Sequence, residues 1–402
     1  MHYNISIIIV NYNGLKYIDQ LFQSFKTLQA EHFNYEIIFV DNHSSDDSIT
    51  YLKENYAQDC LKIVESDKNL GFAGGNNLGV QHASGDYIVF LNNDTKVDPE
   101  WLSNLYTCMM DEKAGIVTSK LLFFYDFVKI GVHTNDKLII DNEVIINNKT
   151  YKLEPKFCKN MLVYEDHSVC FGHSYFYLPL LDGIDSHDIL IKKKDPETHG
   201  SLFMDSGSEY EPGKAIHLSS SEAVHSSIKL IQNVGSGIDQ GFNGYDIGFC
   251  EEDKGQYEQI REVETTCGAA MMMKKDDFIS AGMFDELFFM YYEDTDLAFR
   301  IKKMGKRLIY CPSAVVRHIH TGSSKEWSPF FIFHVYRNRM LFILKNFSKS
   351  IFIKEYIRFI ASVLKSAVSK EQQEVKKAKR DSLRSLRQNI TRYKKMASRG
   401  RA

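Results

Sequence analysis

The chain reads as an α/β protein built on an open, mostly parallel sheet, and three observations predict it. Short β-branched runs alternate with segments of helical period, as βαβ units do. The runs are apolar on both faces, as strands covered by helices on two sides must be. Each run ends in a cluster of Asn and Asp, and open sheets of this kind hold ligands beyond the carboxyl ends of their strands.

The first strand is Ile5-Ser6-Ile7-Ile8-Ile9-Val10. Leu15 to Leu28 follows as an amphipathic helix, with Leu15, Ile18, Leu21, Phe22, Phe25 and Leu28 at three- and four-residue spacing. Tyr35 to Val40 is the second strand, and the short polar run Ser45-Asp46-Asp47-Ser48 caps the next helix. Tyr87 to Leu91 is a third strand after the Gly85-Asp86 turn. Between Thr134 and Ser227 long helical periodicity is absent. Lys137 to Ile140, Glu143 to Ile146 and Ile189 to Ile191 are short β-prone runs among Asn, Asp and Gly, which predicts a β-rich insertion. The α/β pattern resumes over Glu264 to Met273, and Asp294 to Met304 is a short helix. From Pro329 onward the pattern is helical, with Ile353, Tyr356, Ile357, Ile360, Val363, Leu364 and Ala367 on one stripe. The expected segments are therefore 1–133, 134–227, 228–328 and 329–402.

At 402 residues, with 44% hydrophobic and 25% charged positions, the chain can bury a large core and has room for two or three domains. Its seven cysteines are odd in number, scattered and without a CxxC pair, which argues against a disulfide framework or structural zinc and for a reducing compartment. The apolar run at Ile5 is too short for a secretory signal and lacks a basic leader. No uninterrupted apolar stretch of about 18 residues predicts a transmembrane helix. The net charge of −3 hides an asymmetry: residues 331–402 hold 19 Lys and Arg against 4 Asp and Glu, a balance of +15, leaving −18 elsewhere. So basic a segment seeks a polyanion, either anionic lipid headgroups or nucleic acid.

The chemistry gathers where the strands end. Asn11-Tyr12-Asn13-Gly14 follows the first strand, and Asp41-Asn42 follows the second. A carboxylate at Asp41 suits a ribose or the imide of a pyrimidine, although it also suits a turn cap. Asn69-Leu70-Gly71-Phe72-Ala73-Gly74-Gly75-Asn76-Asn77-Leu78-Gly79 reads as a glycine-rich loop whose N–H groups could approach a diphosphate. There is no GxGxxG after the first strand and no Walker lysine, which disfavours a dehydrogenase or a P-loop ATPase. The third strand ends in Asn92-Asn93-Asp94, and Asp94 could bind a divalent cation that neutralises a leaving diphosphate. Alone, such a triplet is also an ordinary turn. Further on, Glu293-Asp294-Thr295-Asp296 opens a helix, so its carboxylates either serve as a general base or stabilise the helix start. His318 and His320, two residues apart, complete the set of candidate metal ligands.

Together these motifs resemble the glycosyltransferase family 2 type of GT-A domain, in particular its bacterial rhamnosyltransferase-like branch. The resemblance runs through Ser6 to Asn13, Val40-Asp41-Asn42, Asn69 to Asn77 and Leu91 to Asp94. It resumes at Gln232 to Gly235, Asp253 to Gln256 and Cys267 to Ala270, continues through Tyr291 to Leu297 and Val316 to Ser324, and covers about residues 4–130 and 228–345. It implies a GT-A catalytic domain in which Asn11, Asp41, Asn69, Gly71, Asn76, Asn92 and Asp94 hold the donor. It also implies that Asp94 binds Mg²⁺ or Mn²⁺ with His318, His320 being second choice, and that Asp294 is the base, with Glu293 or Asp296 orienting base or acceptor. One departure is plain: Asn92 stands at the first acidic position of the family's DxD pattern and is a neutral, weaker metal ligand.

The resemblance thus implies an inverting, metal-dependent glycosyltransferase. It would move a sugar from a nucleoside-diphosphate sugar to a glycan or lipid-linked glycan acceptor in cell-surface polysaccharide synthesis. The rival is a catalytically silent sugar-nucleotide or glycan-binding protein, suggested by Asn92 and the large insertion. The insertion is expected on the acceptor side. The two helical segments Phe330 to Phe347 and Ile351 to Val368 are expected to lie in the interface of an anionic membrane, on its cytoplasmic face. The alternative is that the stripe packs on the catalytic domain or on a second copy in a homodimer. Nucleic acid would match the charge but leave the Phe-rich stripe without a role.

Overall fold

The computed structural model describes residues 4–30, 33–111, 113–181, 186–205, 207–320 and 326–399, with side chains to residue 391. They form two compact units: residues 1–121, 233–247 and 257–402, and residues 122–232 with 248–256.

In the first unit the chain runs β1 (Ile5–Asn11), α1 (Leu15–Phe25), β2 (Tyr35–Asp41), α2 (Ser48–Tyr56), β3 (Leu61–Glu65), α3 (Gly71–His82) and β4 (Tyr87–Leu91). The four strands lie parallel in the order β3-β2-β1-β4. Ile7 is level with Ile37 on one side and Val89 on the other, and all three are buried. The order turns back on itself between β1 and β4, so a crevice opens at the carboxyl ends of these strands. β5 (Thr95–Val97), α4 (Trp101–Met109) and β6 (Ala114–Phe123) continue the unit. Strand Ala270–Lys274 then inserts antiparallel between β4 and β6, and Arg307–His318 pairs with β5 so that His318 faces Thr95. The core is the two-sided apolar layer expected of such a sheet, with α1 and α4 supplying Ile18, Leu21, Phe22, Trp101 and Leu105.

Two expectations change. The strand β3 was not foreseen, because its Leu-Lys-Ile-Val-Glu pattern leaves Lys62 and Glu65 exposed at the sheet edge and so lacks the two-sided apolarity of its neighbours. The stretch read as a glycine-rich loop is largely the helix α3. Its glycines serve close packing: a Cβ on Gly79 would overlap Ile8 Cγ2, and one on Gly75 would come within 2.8 Å of Val10 Cγ1. Gly75 and Gly79 sacrifice helix propensity so that the helix can lie against β1 and β2.

The second unit is antiparallel. Its nine-stranded sheet, counted among the described residues, runs along its main path through Glu209–Tyr210, Ser201–Phe203, Asp126–His133, His167–Leu180, Leu138–Ile146, Ser186–Lys193 and Ala215–Ser219. Alternation is clear in Leu138–Ile146, where Leu138, Ile140, Asn142, Val144 and Ile146 point inward. The β-rich region thus starts near Leu122 rather than at Thr134, since Asp126–His133 pairs along its length with His167–Leu180.

The C-terminal region is three helices, Pro329–Asn346, Lys349–Val368 and Gln373–Arg399. Ser328 caps the first by accepting from Phe331 N, with Pro329 at its first position. Contrary to the expectation that Phe330 to Phe347 lies in a membrane interface, this helix is built into the fold. Met340, Leu341, Phe342 and Ile343 are buried with Phe288, Tyr292, Phe359, Val363 and Leu386. No helix among the described residues is long and apolar enough to cross a membrane.

The packing of α3 gives a direct test. Gly79→Ala gains about 1 kcal/mol of helix propensity but forces a methyl group into the fully buried Ile8. Overpacking of this kind costs about 1–3 kcal/mol, so urea denaturation should show a lower midpoint for the variant.

Candidate active site

The ends of β1, β2 and β4 are tied by side chains. Asn93 Nδ2 donates to Asn11 Oδ1 at 2.8 Å, and Asn11 Nδ2 donates to Asp41 Oδ1 at 3.2 Å. Asp41 Oδ2 accepts from Ser44 N at 2.9 Å, closing the turn after β2. All three side chains are buried, so the relay is a fixed floor. Asn42 continues it, accepting from Leu70 N at 2.9 Å and donating to Asn69 Oδ1 and Gly71 O. Gly71 N donates to Asn69 Oδ1 at 2.8 Å, and Ala73 N donates to Phe289 O at 3.2 Å. The N–H groups of Leu70, Gly71 and Ala73, which the sequence offered to a diphosphate, are therefore already engaged. Asn76, buried in α3, donates to Phe72 O one turn back.

Beside this floor, His318 Nε2 lies 3.1 Å from Asp94 Oδ1 and 3.1 Å from Asn92 Nδ2. Ile319 N donates to Asp94 O, so strand Arg307–His318 delivers the imidazole to the NND turn. Asp94 is 2% exposed, and its Oδ1 has no hydrogen-bond partner beyond that ring contact among the described residues. A buried carboxylate oxygen beside an imidazole nitrogen fits a divalent cation that takes its remaining ligands from phosphate and water. His320 is placed differently, its Nε2 lying 3.8 Å from Glu326 Oε1. Thr321 to Ser324, the end of the His motif, fall outside the described residues.

The second half of the site is the turn before helix Glu293–Lys303. Asp294 Oδ2 accepts from Gly268 N at 2.9 Å, and Oδ1 accepts from Thr295 N at 2.6 Å. Ala269 O accepts from Asn92 N at 2.9 Å, so the adjoining residues Gly268 and Ala269 join Asp294 to the NND turn. The three acidic candidates separate cleanly. Asp294 keeps partial exposure. Glu293 is 5% exposed, with Oε2 unpartnered among the described residues. Asp296 is fully buried and taken up by Arg300 at 2.9 Å, Lys345 at 2.8 Å and Asn346 at 2.8 Å, which anchor it in the fold. Burial raises the Asp294 carboxyl above its usual range, with hydrogen bonds from Gly268 and Thr295 opposing. Burial first and the Asp294 charge second push Glu293 well above.

Two further residues belong here and were not singled out from the sequence. Asn77 on α3 donates to Phe284 O at 2.9 Å and to Glu286 Oε1 at 3.2 Å, and accepts from Phe284 N, fastening the donor side to the turn. Asp246 accepts from Asn233 at 2.5 Å and Ser236 at 3.1 Å, and its raised pKa comes mainly from burial, with the Asp294 charge adding and the His318 charge opposing. Asp246 lies 48 residues before Asp294 in a Gly-rich segment, so no local pattern marks it.

Glu293 supplies a pH test. Its folded pKa lies above the unfolded value, so the folded state binds the extra proton. The stability it contributes is full below the ordinary Glu range and is lost as pH rises toward the folded pKa. Glu293→Gln should therefore gain stability relative to wild type as pH rises above about 4.5, read as a widening gap in thermal midpoints between pH 5 and pH 8.

Known proteins resemble this chain in sequence and in fold. Residues 6–176 match the sequence profile of glycosyl transferase family 2. The chain is 28% identical over 153 residues to cholesterol galactosyltransferase of Borreliella burgdorferi, 37% of this chain and 41% of that protein, so it spans well under half of that relative. It is 20% identical over 355 residues to the low-salt glycan biosynthesis hexosyltransferase Agl10 of Haloferax volcanii, 87% of this chain and 78% of that one. The crystal structure of GalNAc-T7 with UDP, GalNAc and Mn²⁺ superposes with a TM-score of 0.52 at 13% identity, over 97% of this chain and 57% of the other, a likeness of fold. The chain thus matches glycosyl transferase family 2 over residues 6–176 and has a GT-A fold.

Proposed function

We propose that the protein is an inverting, metal-dependent glycosyltransferase that moves a sugar from a nucleoside-diphosphate donor to a glycan hydroxyl, with a lipid-linked precursor of a cell-surface polysaccharide as acceptor. The observation that carries this reading is the Gly268-Ala269 link, which holds a partly exposed Asp294 next to the turn of Asp94 and His318. The donor's nucleotide would rest on the Asn11–Asp41 floor, with Asp41 accepting from base or ribose. Asp94 and His318 would hold the cation, which offsets the charge of the departing diphosphate. Asp294 takes the proton of the acceptor hydroxyl as it attacks the anomeric carbon from the face opposite the diphosphate. The Gly268 N–H and the Thr295 groups hold that carboxylate in place, so little reorganisation accompanies attack. The rhamnosyltransferase-like branch remains our proposal for its specificity class, resting on the motif resemblance.

A silent sugar-nucleotide- or glycan-binding protein is the second reading, favoured by Asn92 and the large insertion. Nucleotide release against UDP-, dTDP- and GDP-sugars separates the two. One donor class should release nucleotide in an acceptor-dependent way, and excess EDTA should abolish the release. Asp294→Asn should lower turnover about 10²–10⁴-fold while calorimetry shows donor binding nearly intact. Turnover at the wild-type level in Asp294→Asn, or indifference to EDTA, would remove the corresponding role.

The protein's place is proposed as peripheral, on an anionic membrane. Helix Lys349–Val368 is amphipathic in two senses: Phe359 and Val363 face inward, while Ile353, Ile357, Leu364 and Val368 are 56–88% exposed along the other side. Lys354, Arg358 and Lys365 are exposed on the same helix. That combination suits headgroups above acyl chains better than a solvated surface. A second copy of the chain is the alternative occupant. Wild type should co-sediment with anionic but not neutral liposomes at low salt, and Ile357→Asp with Leu364→Asp should abolish it. Unchanged pelleting of the double variant would overturn the proposal, and a monomer–dimer shift on the same substitutions would assign the stripe to a homodimer.

A further inference from the structure

The turn that delivers Asp294 has a costly backbone. Phe289, Tyr291 and Tyr292 all have left-handed φ, at 66°, 71° and 71°, and none is a glycine. Bulky residues in this region are strained by about 1–3 kcal/mol each and persist only where surroundings impose them. Tyr292 directly precedes Glu293, and its carbonyl accepts from Asp296 N, so these φ angles set the direction in which helix Glu293–Lys303 leaves.

What imposes them is the first C-terminal helix. Asn338, fully buried, directs Nδ2 at the carbonyls of Phe288, Met290 and Tyr291, each at 2.8 Å. Arg337, 7% exposed, donates through Nη2 to Leu287 O at 3.1 Å and Phe288 O at 2.8 Å, and through Nε to Asn338 Oδ1 at 2.8 Å. The neighbouring His334 is pushed down to about 4 by burial and by the Arg337 charge, so a neutral ring stacks on Phe289 with centroids 5.3 Å apart. Two turns further along, Lys345 bridges Asp285 at 2.6 Å and Asp296 at 2.8 Å, one on each side of the turn. On the opposite side the turn abuts α3, where Phe289 O accepts from Ala73 N and Gly71 leaves no room for a Cβ.

We propose that Arg337 and Asn338 are positioning residues of the reaction: they hold the left-handed turn whose geometry aims the Asp294 carboxylate. The C-terminal region is then part of the catalytic apparatus, although neither residue touches substrate. An asparagine amide has two hydrogens for three carbonyls, so the carbonyls must converge on one point. That convergence, together with an arginine fork spent on backbone, is far more than attaching a helix requires. The inference rests on the reading of Asp294 as base.

The test is a double-mutant cycle on the donor selected by the nucleotide-release screen. Asn338→Ala should lower kcat about 10–100-fold, as a misplacement near 1 Å does, with donor KM and calorimetric donor affinity within about twofold. Because Asn338 acts through Asp294, adding Asn338→Ala to Asp294→Asn should cause no further loss. A multiplicative loss in the double variant overturns the proposal, whereas full activity in Asp294→Asn alone overturns the base assignment instead. Arg337→Lys, which keeps the charge but not the planar fork, and Asn338→Ser, which keeps a single O–H donor, take the same cycle should Asn338→Ala not fold. An arm independent of activity is amide hydrogen exchange. Residues 289–297 should exchange about tenfold faster in Asn338→Ser while β1 and β4 stay at wild-type rates; unchanged exchange in the turn also overturns the proposal.

Discussion

Everything at the site depends on the hydrogen-bond relay Asn93–Asn11–Asp41 across three parallel strand ends. Strand ends in an open sheet diverge as the sheet twists, and their polar side chains would otherwise choose between solvent and one another. Here Asn11 Oδ1 and both Asp41 oxygens are each used by a neighbour, and an unmatched one would leave a buried group unsatisfied at about 1–3 kcal/mol. The relay therefore fixes the crevice floor before any ligand arrives, and Asn42 carries the same order into the start of α3.

On that floor the two halves of the chain are joined by backbone as much as by side chains. Gly268 and Ala269 lie between the NND turn and the acidic helix, one donating to Asp294 and the other accepting from Asn92. Asn77 does the same from α3 to Phe284. This explains how neighbouring acids divide their roles. Asp296 is paired with Lys345 and Arg300 and anchors the helix, Glu293 is withdrawn from solvent, and Asp294 alone of the three is a partly exposed residue. Raised pKa values at Asp246, Glu293 and Asp294 come chiefly from burial and identify a desolvated pocket of carboxylates, the environment in which an incoming cationic or hydroxyl group interacts strongly.

The basic C-terminal region serves two ends with opposite faces. Its first helix spends Arg337, Asn338 and Lys345 inward on the acidic turn. Its second buries Phe359 and Val363 and leaves an apolar row outside. Charge counting alone assigns all these cations to an external polyanion, yet part of the +15 balance is consumed within the fold.

By itself the sequence determined the layered α/β architecture, because two-sided apolar runs such as Ile5 to Val10 have no other stable home than a covered parallel sheet. It also placed the polar residues Asn11, Asp41 and Asp94 at strand ends, since chain order and strand length fix which residue comes last. Tertiary structure decided the rest. Glycines at 75 and 79 look alike in a loop and in a helix that must approach a sheet closely, and the positions of Val10 and Ile8 distinguish the two. Three acids within four residues look equivalent until Lys345, some 50 positions away, selects Asp296. His318 and His320 differ by two residues, and only the pairing of Arg307–His318 with β5 brings the first to Asp94. In each case the deciding partner is distant in the chain, so its effect is carried by packing and hydrogen bonds that no local pattern records.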